Sequence, residues 1–326
     1  MDIEYLLWLQ KFRESTGGAL DGFFTLISDI VLSVAIYIVI AMIYWCVNKK
    51  VGIMFAMNIV LGNFVTQILK NTFCVLRPWI KDARIVPAGD AIETATGYSF
   101  PSGHTQVAVS EFGSLAVWQK KSKIIVSICG VMVFLVMLSR NYLGVHTPQD
   151  VIASFIITVG VIAMNLFLLS WVEKGKNRDI ILFSVGMAIC IGAFLYNVLK
   201  PYPMDMSSDG KLLVDSSEMI IEGGVGIGCA TGFLLGWFID RRFVKYEVPN
   251  TLKRKIWVFL VGAVLTVITV FFVCDPIKDS METMGATLGC LGEALYFIIA
   301  FLVIMAIYPA AVKATLNAID KKNKTV

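Results

Sequence analysis

The sequence predicts an all-α, polytopic integral membrane protein, a bundle of about nine transmembrane helices. Apolar residues make up 57% of the 326 residues and charged residues 16%, whereas soluble domains contain roughly 45–50% and 25% of these classes. Apolar runs recur along the whole chain with only short connectors between them. A single integral membrane domain is therefore the simplest architecture, and no separate soluble domain is predicted.

Each span is placed where a long apolar run lies between charges or turn residues. The spans cover residues 20–47, 51–72, 104–119, 124–140, 148–172, 179–199, 219–239, 256–274 and 288–312. The third span is short and contains Gln106, Ser110 and Glu111. We expect its neighbours to shield these polar side chains from lipid, because polar groups are costly in the hydrocarbon layer.

The N-terminal residues lack the basic-then-apolar order of a secretory signal, so we treat them as mature sequence. Helical spacing places four apolar side chains on one face, which predicts a short helix at the membrane interface. They are Tyr5, Trp8, Leu9 and Phe12. The opposite face carries Glu4 and Lys11.

The seven cysteines are scattered, form no CxxC pair and lie mostly inside apolar runs. This distribution predicts small packing residues, and it predicts neither a disulfide framework nor a metal site. Cys74 alone lies beside a loop that carries chemistry, and we expect a structural role for it as well.

Basic residues concentrate in alternate connectors, which sets the predicted orientation. One set of connectors holds 18 of the 28 lysines and arginines: Lys49, Lys50, Lys120, Lys121, Lys123, Lys174, Lys176, Arg178, Arg241, Arg242, Lys245, Lys253, Arg254, Lys255, Lys313, Lys321, Lys322 and Lys324. The positive-inside rule places this set and the C-terminus in the cytoplasm and the N-terminus outside. These loops account for the net charge of +4, so no nucleic-acid partner is predicted.

Three short blocks of polar residues fall on the predicted outer side. "KNTFCVLRP" contains Lys70 and Arg77, and "PSGH" spans Pro101 to His104. The third block, "SRNYLGVHTPQD", contains Arg140, His146 and Asp150. Charges near a membrane core are costly, so this concentration calls for a function.

The chemistry of these side chains suits a phosphate group. Lys70, Arg77 and Arg140 can converge with the backbone amides after Ser102, at a helix start where Gly103 permits close approach of an anion. Of the two histidines in the chain, one can attack phosphorus while the other protonates the departing oxygen. Asp150 follows His146 by four residues, close enough to fix the tautomer of its ring and favour the cationic form.

The order of these blocks resembles the type 2 phosphatidic acid phosphatase superfamily, and the resemblance covers roughly residues 20–172. It implies that His146 is the nucleophile, that Asp150 is its partner and that His104 is the general acid. It also implies that the phosphoryl oxygens are bound by Lys70, Arg77, Ser102, Gly103 and Arg140. Neither a metal nor another cofactor is implied, because arginine and lysine supply the positive charge.

Structural roles are alternatives for several of these residues. Thr147, Pro148 and Asp150 also form a good helix start with a capping box. Lys70 and Arg77 can be ordinary interfacial anchors. Glu111 lies seven residues after His104 and either tunes this acid or bonds within the bundle.

A functional alternative of another class is a transporter with carboxylates near the midplane. Its candidate residues are Asp29, Glu222 and Glu293. The glycines that follow Glu222 indicate close helix packing, because they lack the context of a nucleotide site. The transporter hypothesis leaves the three blocks unexplained.

The functional prediction is a membrane phosphatase in the cell or plasma membrane, with its site on the non-cytoplasmic side. Its first-choice substrate is undecaprenyl pyrophosphate, within a broader class of lipid phosphates and diphosphates. Nine spans also resemble the glucose-6-phosphatase branch of the family, so a soluble sugar phosphate is the alternative. Residues 1–175 hold the motif-bearing core, and residues 176–326 hold spans of which the last three have no predicted role. The sequence leaves oligomer formation open.

Overall fold

The regular structure in the described residues is almost entirely helical. The computed structural model describes residues 2–32, 34–207 and 210–324. Its helices are α1 (Asp2–Ser15), α2 (Asp21–Ile30), α3 (Val34–Met42), α4 (Lys49–Phe73), α5 (Pro78–Lys81), α6 (Gly103–Trp118), α7 (Lys123–Tyr142), α8 (Pro148–Glu173), α9 (Arg178–Leu199), α10 (Ser216–Ile239), α11 (Leu252–Thr269), α12 (Asp275–Glu282), α13 (Ala286–Leu302) and α14 (Tyr308–Lys324). One isolated antiparallel bridge joins Met206 and Leu212. The prediction of an all-α fold is confirmed.

Seven described helices are long and apolar enough to cross a membrane, and they correspond to seven of the predicted spans. The predicted span 20–47 is instead divided, because α2 ends at Ile30 and α3 begins at Val34; Ser33 lies outside the described residues. The short third span corresponds to α6, which has 16 residues. Nine crossings and the orientation of the termini stay predictions.

The chain divides into two compact units. The first contains residues 1–36, 61–165 and 199–219, and the second contains residues 37–60, 166–198 and 220–326. Both units are assembled from separated stretches of sequence. The division of function predicted at residue 175 is not tested by this arrangement.

The core of the first unit fixes the long connector after α5. Ala88, Ala91 and Ala95 of this connector pack with Tyr142 and Val145, at the end of α7 and in the turn that follows it. The Tyr142 hydroxyl donates a 2.8 Å hydrogen bond to the carboxylate of Asp21 at the start of α2. These contacts hold the turn between α7 and α8 in place.

The first unit also buries the polar side of α6. Residues 104–111 and Ser114 are buried, and the Gln106 amide donates to the Ser110 hydroxyl at 2.9 Å. Gly62 of α4 lies so close to Gln106 that a Cβ atom there would collide with the amide nitrogen. The expectation that neighbours cover the third span is confirmed.

Helix α1 forms where the sequence predicts it, and of its predicted apolar face Leu9 is buried within the first unit. Leu6 and Leu9 are buried together with Arg13, whose guanidinium donates to the Val86 carbonyl at 2.6 Å. Trp8 and Phe12 of the predicted apolar face are exposed. The apolar contact of α1 within the first unit therefore uses Leu6 and Leu9.

In the second unit, α10 and α13 approach closely through a row of glycines at every fourth position. Gly224, Gly228, Gly232 and Gly236 all face the α13 segment or the turn that follows it. A Cβ atom on Gly228 would lie 2.5 Å from the Ala294 carbonyl oxygen. The prediction of close packing at these glycines is confirmed, since any larger side chain would push the helices apart.

The seven cysteines are all free thiols, and all except Cys74 are buried. This agrees with the prediction that they are packing residues. Cys74 accepts a 3.1 Å hydrogen bond from the Lys200 ammonium group.

Candidate active site

The three polar blocks come together within the first unit. Lys70 lies in the last turn of α4, Arg77 before α5, Arg140 in the last turn of α7 and Asp150 in the first turn of α8. Of the eight predicted site residues, seven are buried: Lys70, Arg77, Ser102, His104, Arg140, His146 and Asp150. Gly103 is half-buried at the start of α6. The fold thus buries a cluster of charged groups that the sequence distributes over 81 positions.

Arg77 bonds both to the chain segment before α6 and to His146 of the third block. Its guanidinium donates to the carbonyls of Thr96 at 2.6 Å, Gly97 at 3.1 Å and Val145 at 3.1 Å. The same group lies 2.9 Å from Nε2 of His146. A guanidinium can only donate, so Nε2 is the acceptor and the proton of the neutral ring lies on Nδ1.

The other side of the His146 ring faces Asp150 and a serine. The Ser99 hydroxyl donates to Oδ2 of Asp150 at 2.6 Å and lies 3.4 Å from Nδ1 of His146. Oδ2 of Asp150 is 3.7 Å from Nδ1, which is longer than a hydrogen bond. Asp150 therefore holds the ring electrostatically and through Ser99.

Asp150 also caps α8. The Thr147 amide donates to Oδ2 of Asp150 at 2.8 Å, and the Asp150 amide donates to the Thr147 hydroxyl at 3.4 Å. This is the capping box that the sequence predicts. The Asp150 carboxylate therefore has two roles. The same oxygen caps the start of α8 and faces the imidazole of His146.

The protonation of His146 is set by opposing influences. Burial and the positive charge of Arg77 lower the pKa of His146 to about 3. Asp150 raises the pKa and so favours the cationic ring, as the sequence predicts, but burial and Arg77 outweigh the carboxylate and leave the ring neutral. A neutral imidazole is the form that can act as a nucleophile.

Arg140 and His104 leave polar atoms without partners in the buried cluster. One Arg140 nitrogen donates to the Ser28 hydroxyl at 2.5 Å. Among the described residues, Nε and Nη2 of Arg140 and Nε2 of His104 have no hydrogen-bond partner. Arg140, Lys70 and Arg77 all lie close enough to His104 to act on it electrostatically. This excess of buried cationic and donor groups suits an anion.

The start of α6 adds a backbone surface to this cluster. The Ser102 hydroxyl caps the helix by accepting from the Thr105 amide at 3.4 Å, and its carbonyl accepts from Ser154 at 2.7 Å. A Cβ atom built on Gly103 meets nothing within 4 Å. The helix therefore presents its positive end and an unobstructed glycine to open space. The role of Ser102 in binding phosphate stays a prediction, since its hydroxyl already serves the cap.

Four residues around the site were not predicted from the sequence. They are Ser28, Ser99, Asn141 and Ser154. Asn141 donates to the His146 carbonyl at 2.9 Å. The adjacent polar pair Ser28 and Asp29 inside an apolar run was the available signal for Ser28. Ser99 lies just outside the "PSGH" block and carried no comparable signal.

Two further acidic groups lie near this cluster or on α6. Asp29 is close enough to Arg140 to act on it electrostatically. Glu111 is buried, and both of its oxygens lack a hydrogen-bond partner among the described residues. Within the described part of the chain, no three His, Cys, Asp or Glu side chains are grouped so that they could hold a metal ion.

Comparisons with known proteins match the part of the chain that carries this site. Residues 50–176 match the model of the PAP2 superfamily. Phosphatidylglycerophosphatase B of Bacillus subtilis is 35% identical over 89 residues, which cover 25% of this chain and 43% of that protein. The Escherichia coli K12 protein of the same name is 37% identical over 76 residues, which cover 22% of this chain and 30% of that protein.

An archaeal protein matches over a longer stretch. Undecaprenyl-diphosphatase of Sulfolobus acidocaldarius is 30% identical over 110 residues, which cover 34% of this chain and 51% of that protein. The chain thus spans about half or less of the length of these relatives. No solved structure matches. The stretch that matches the PAP2 superfamily model, residues 50–176, contains all eight predicted site residues.

Proposed function

We propose that the chain is a membrane phosphatase that hydrolyses a lipid phosphate or diphosphate through a phosphohistidine on His146. The observation that carries this proposal is the neutral His146 ring held between Arg77 and the Ser99–Asp150 pair. Beside it lie unpartnered donors of Arg140 and His104. A nucleophile, an acid and a cationic cradle are the groups that transfer of a phosphoryl group requires.

The proposed reaction has two steps. The hydrogen bond from Arg77 to Nε2 of His146 first breaks, and Nε2 then attacks phosphorus in line. The bond from phosphorus to the leaving oxygen breaks, and His104 gives its proton to that oxygen. A water molecule then attacks the phosphohistidine, His104 takes a proton from it, and the nitrogen–phosphorus bond breaks to release phosphate. Lys70, Arg77 and Arg140 together with the Gly103 amide stabilise the equatorial oxygens in both steps. No step requires a metal ion.

The membrane arrangement supports a lipid substrate. We propose nine crossings with the N-terminus outside and the C-terminus in the cytoplasm, which places the site at the outer boundary between membrane and water. On that leaflet our first-choice substrate is undecaprenyl pyrophosphate. Residues 1–175 would then supply the catalytic core, and residues 176–326 would complete the membrane domain.

The test is phosphate release from purified protein offered several substrates side by side, with a chelator present. The panel contains undecaprenyl pyrophosphate, phosphatidate, phosphatidylglycerophosphate, sphingosine 1-phosphate and glucose 6-phosphate. Release that resists the chelator and is blocked by vanadate supports the proposal. Preference for glucose 6-phosphate would favour the sugar-phosphate alternative. Solute flux into vesicles without phosphate release would favour a transporter.

A methyl group at Gly103 is expected to impair catalysis without affecting folding. Because its Cβ meets nothing within 4 Å, Gly103→Ala should retain the thermal stability of the wild type. The methyl group would stand where a phosphoryl oxygen approaches the helix start, so kcat/KM should fall roughly 10- to 100-fold. Gly160→Ala, at another open position in α8, is the control and should keep full activity. Wild-type kinetics in Gly103→Ala would remove this glycine from the site.

The ring of His146 is expected to stay neutral well below pH 6.5. The chain has only two histidines, so ¹⁵N labelling with His104→Gln as reference resolves His146 by NMR. We expect its pKa near 3, with Nε2 unprotonated, and a higher pKa in Arg77→Gln because a neighbouring cation is removed. Since the folded pKa lies below the unfolded value, His146 should lower the free energy of unfolding as the pH falls from about 6.5 towards 3. Titration near pH 6.5 would contradict this account.

A further inference from the structure

A cleft in the second unit combines a basic rim with an apolar floor. It has a volume of about 570 Å³ and is bounded by the start of α4, the end of α8, and the end of α10 with the turn that follows it. This volume is within the range of pockets that bind organic ligands, roughly 300–1,000 Å³. All its lining residues belong to the second unit, whereas the eight candidate active-site residues belong to the first.

The floor of the cleft is formed by aliphatic side chains. The lining includes Ile53 and Met54 of α4 together with Leu166 and Leu169 of α8. Leu166 and Leu169 are half-buried, and they lie in the last two turns of a helix long and apolar enough to span a membrane. A surface of this kind suits an acyl chain, because it removes apolar area from water without demanding hydrogen bonds.

The rim carries four basic and three acidic side chains, and most of the acidic charge is already paired. Lys49 contacts Asp240 at 2.5 Å, and Lys50 contacts Glu173 at 2.8 Å. The second pair is largely exposed, at 79% and 51%, so it is weak and readily exchanged.

The remaining rim charges are Arg241, Lys245 and Glu247. Arg241 has a longer contact of 3.6 Å with Asp179 and lies over the Trp237 ring at 5.9 Å. Lys245 is exposed. Arginine beside an indole at the end of a span is typical of the headgroup level of a bilayer.

We propose that this cleft binds one anionic diacyl phospholipid. Its phosphate would lie against Arg241 and Lys245, with Lys50 released from Glu173 to join them, and one acyl chain would follow the floor between Ile53 and Leu166. The rim residues belong to the loops predicted to be cytoplasmic, where the leaflet is rich in anionic lipid. The proposal is independent of the phosphatase activity, because a phosphodiester lipid offers no phosphomonoester to the candidate active site.

The test is native mass spectrometry of the detergent-solubilised protein with equal amounts of phosphatidylglycerol and phosphatidylcholine. We expect the wild type to retain phosphatidylglycerol preferentially. In the double variant Arg241→Gln/Lys245→Gln its affinity should fall by about 25-fold, roughly fivefold for each basic residue. Lys121→Gln/Lys253→Gln removes the same charge from exposed positions outside the cleft and should behave as the wild type. Equal losses in both double variants would overturn the proposal, as would absence of any preference in the wild type.

A second variant separates a lipid from its soluble headgroup. Leu169→Trp fills the apolar floor and leaves the basic rim unchanged, so retention of phosphatidylglycerol should fall at least tenfold. Binding of glycerophosphoglycerol, the phosphodiester headgroup without acyl chains, to the wild type, measured by calorimetry, should be at least a hundredfold weaker than binding of the lipid. If Leu169→Trp retains the lipid, or if glycerophosphoglycerol binds equally well, the cleft is a site for a soluble anion and the proposal is wrong.

Discussion

Replacing His146 with alanine is expected to abolish phosphate release while the protein still folds. The imidazole is the nucleophile in the proposed cycle, so kcat/KM should fall by at least about 10⁴-fold. The side chain is 1% exposed, and its loss leaves a small cavity that costs a few kcal/mol at most. Size-exclusion chromatography, helical circular dichroism and lipid retention should therefore resemble those of the wild type. A folded and fully active variant would refute the assignment.

The role of His146 can be separated from that of His104 with an activated substrate. A nitrophenolate leaves without being protonated, so His104→Ala should hydrolyse p-nitrophenyl phosphate far better, relative to wild type, than it hydrolyses an alkyl phosphate. We expect the two relative activities to differ by about 10²-fold, the usual size of a general-acid effect. His146→Ala should be inactive on both substrates. Equal defects of His104→Ala on both substrates would contradict its role as the acid.

Replacing Arg140 with methionine is expected to remove activity without lowering stability. The guanidinium is 1% exposed, donates to Ser28 and leaves Nε and Nη2 without partners among the described residues. A buried charge with so few partners is unfavourable for folding, so Arg140→Met should melt at or above the wild-type temperature. The same free nitrogens are suited to two phosphoryl oxygens, so kcat/KM should fall by at least about 10³-fold.

Two further variants distinguish this role from simple packing. Arg140→Lys keeps the charge but loses the planar pair of donors, so it should recover little activity. Ser28→Ala removes only the support for Arg140 and should reduce kcat/KM by about tenfold at an unchanged melting temperature. A large loss of stability in Arg140→Met with activity retained would show that Arg140 is structural.

The parts of the site that depend on local chemistry were predictable from the sequence. Ser102 caps α6 and Asp150 caps α8 because these residue types satisfy free amides at helix starts wherever they occur. The polar face of α6 was likewise visible, since Gln106, Ser110 and Glu111 interrupt an apolar run. Charged residues near the membrane core likewise indicate a functional site, because placing them there is energetically costly.

Other parts depend on the tertiary path and were not predictable. Ser99 is an ordinary serine in sequence, and the polar position of Ser28 in an apolar run did not indicate its partner. The two serines meet Asp150 and Arg140 only because the connector before α6 and α2 pack beside α8 and α7. The separation of α2 from α3 also had no signal, because residues 28–36 contain neither proline nor glycine.

The protonation state of His146 is another property that could not be predicted from the sequence. Its sequence neighbour Asp150 favours the cation, and this was the only influence visible in the sequence. Burial and Arg77, which is 69 positions earlier, act in the opposite direction and prevail. A pKa depends on everything packed around a group, so local spacing alone could not determine it.

Identification of the phosphorylated residue during turnover would test the phosphohistidine mechanism without reference to any variant's stability. The enzyme is mixed with a ³²P-labelled substrate, quenched in alkali, in which phosphohistidine survives, and digested for mass spectrometry. We expect label on His146, accumulation of that label in His104→Ala and none in His146→Ala. Label on another residue, or turnover by direct attack of water with inversion at phosphorus and no labelled enzyme, would contradict this mechanism.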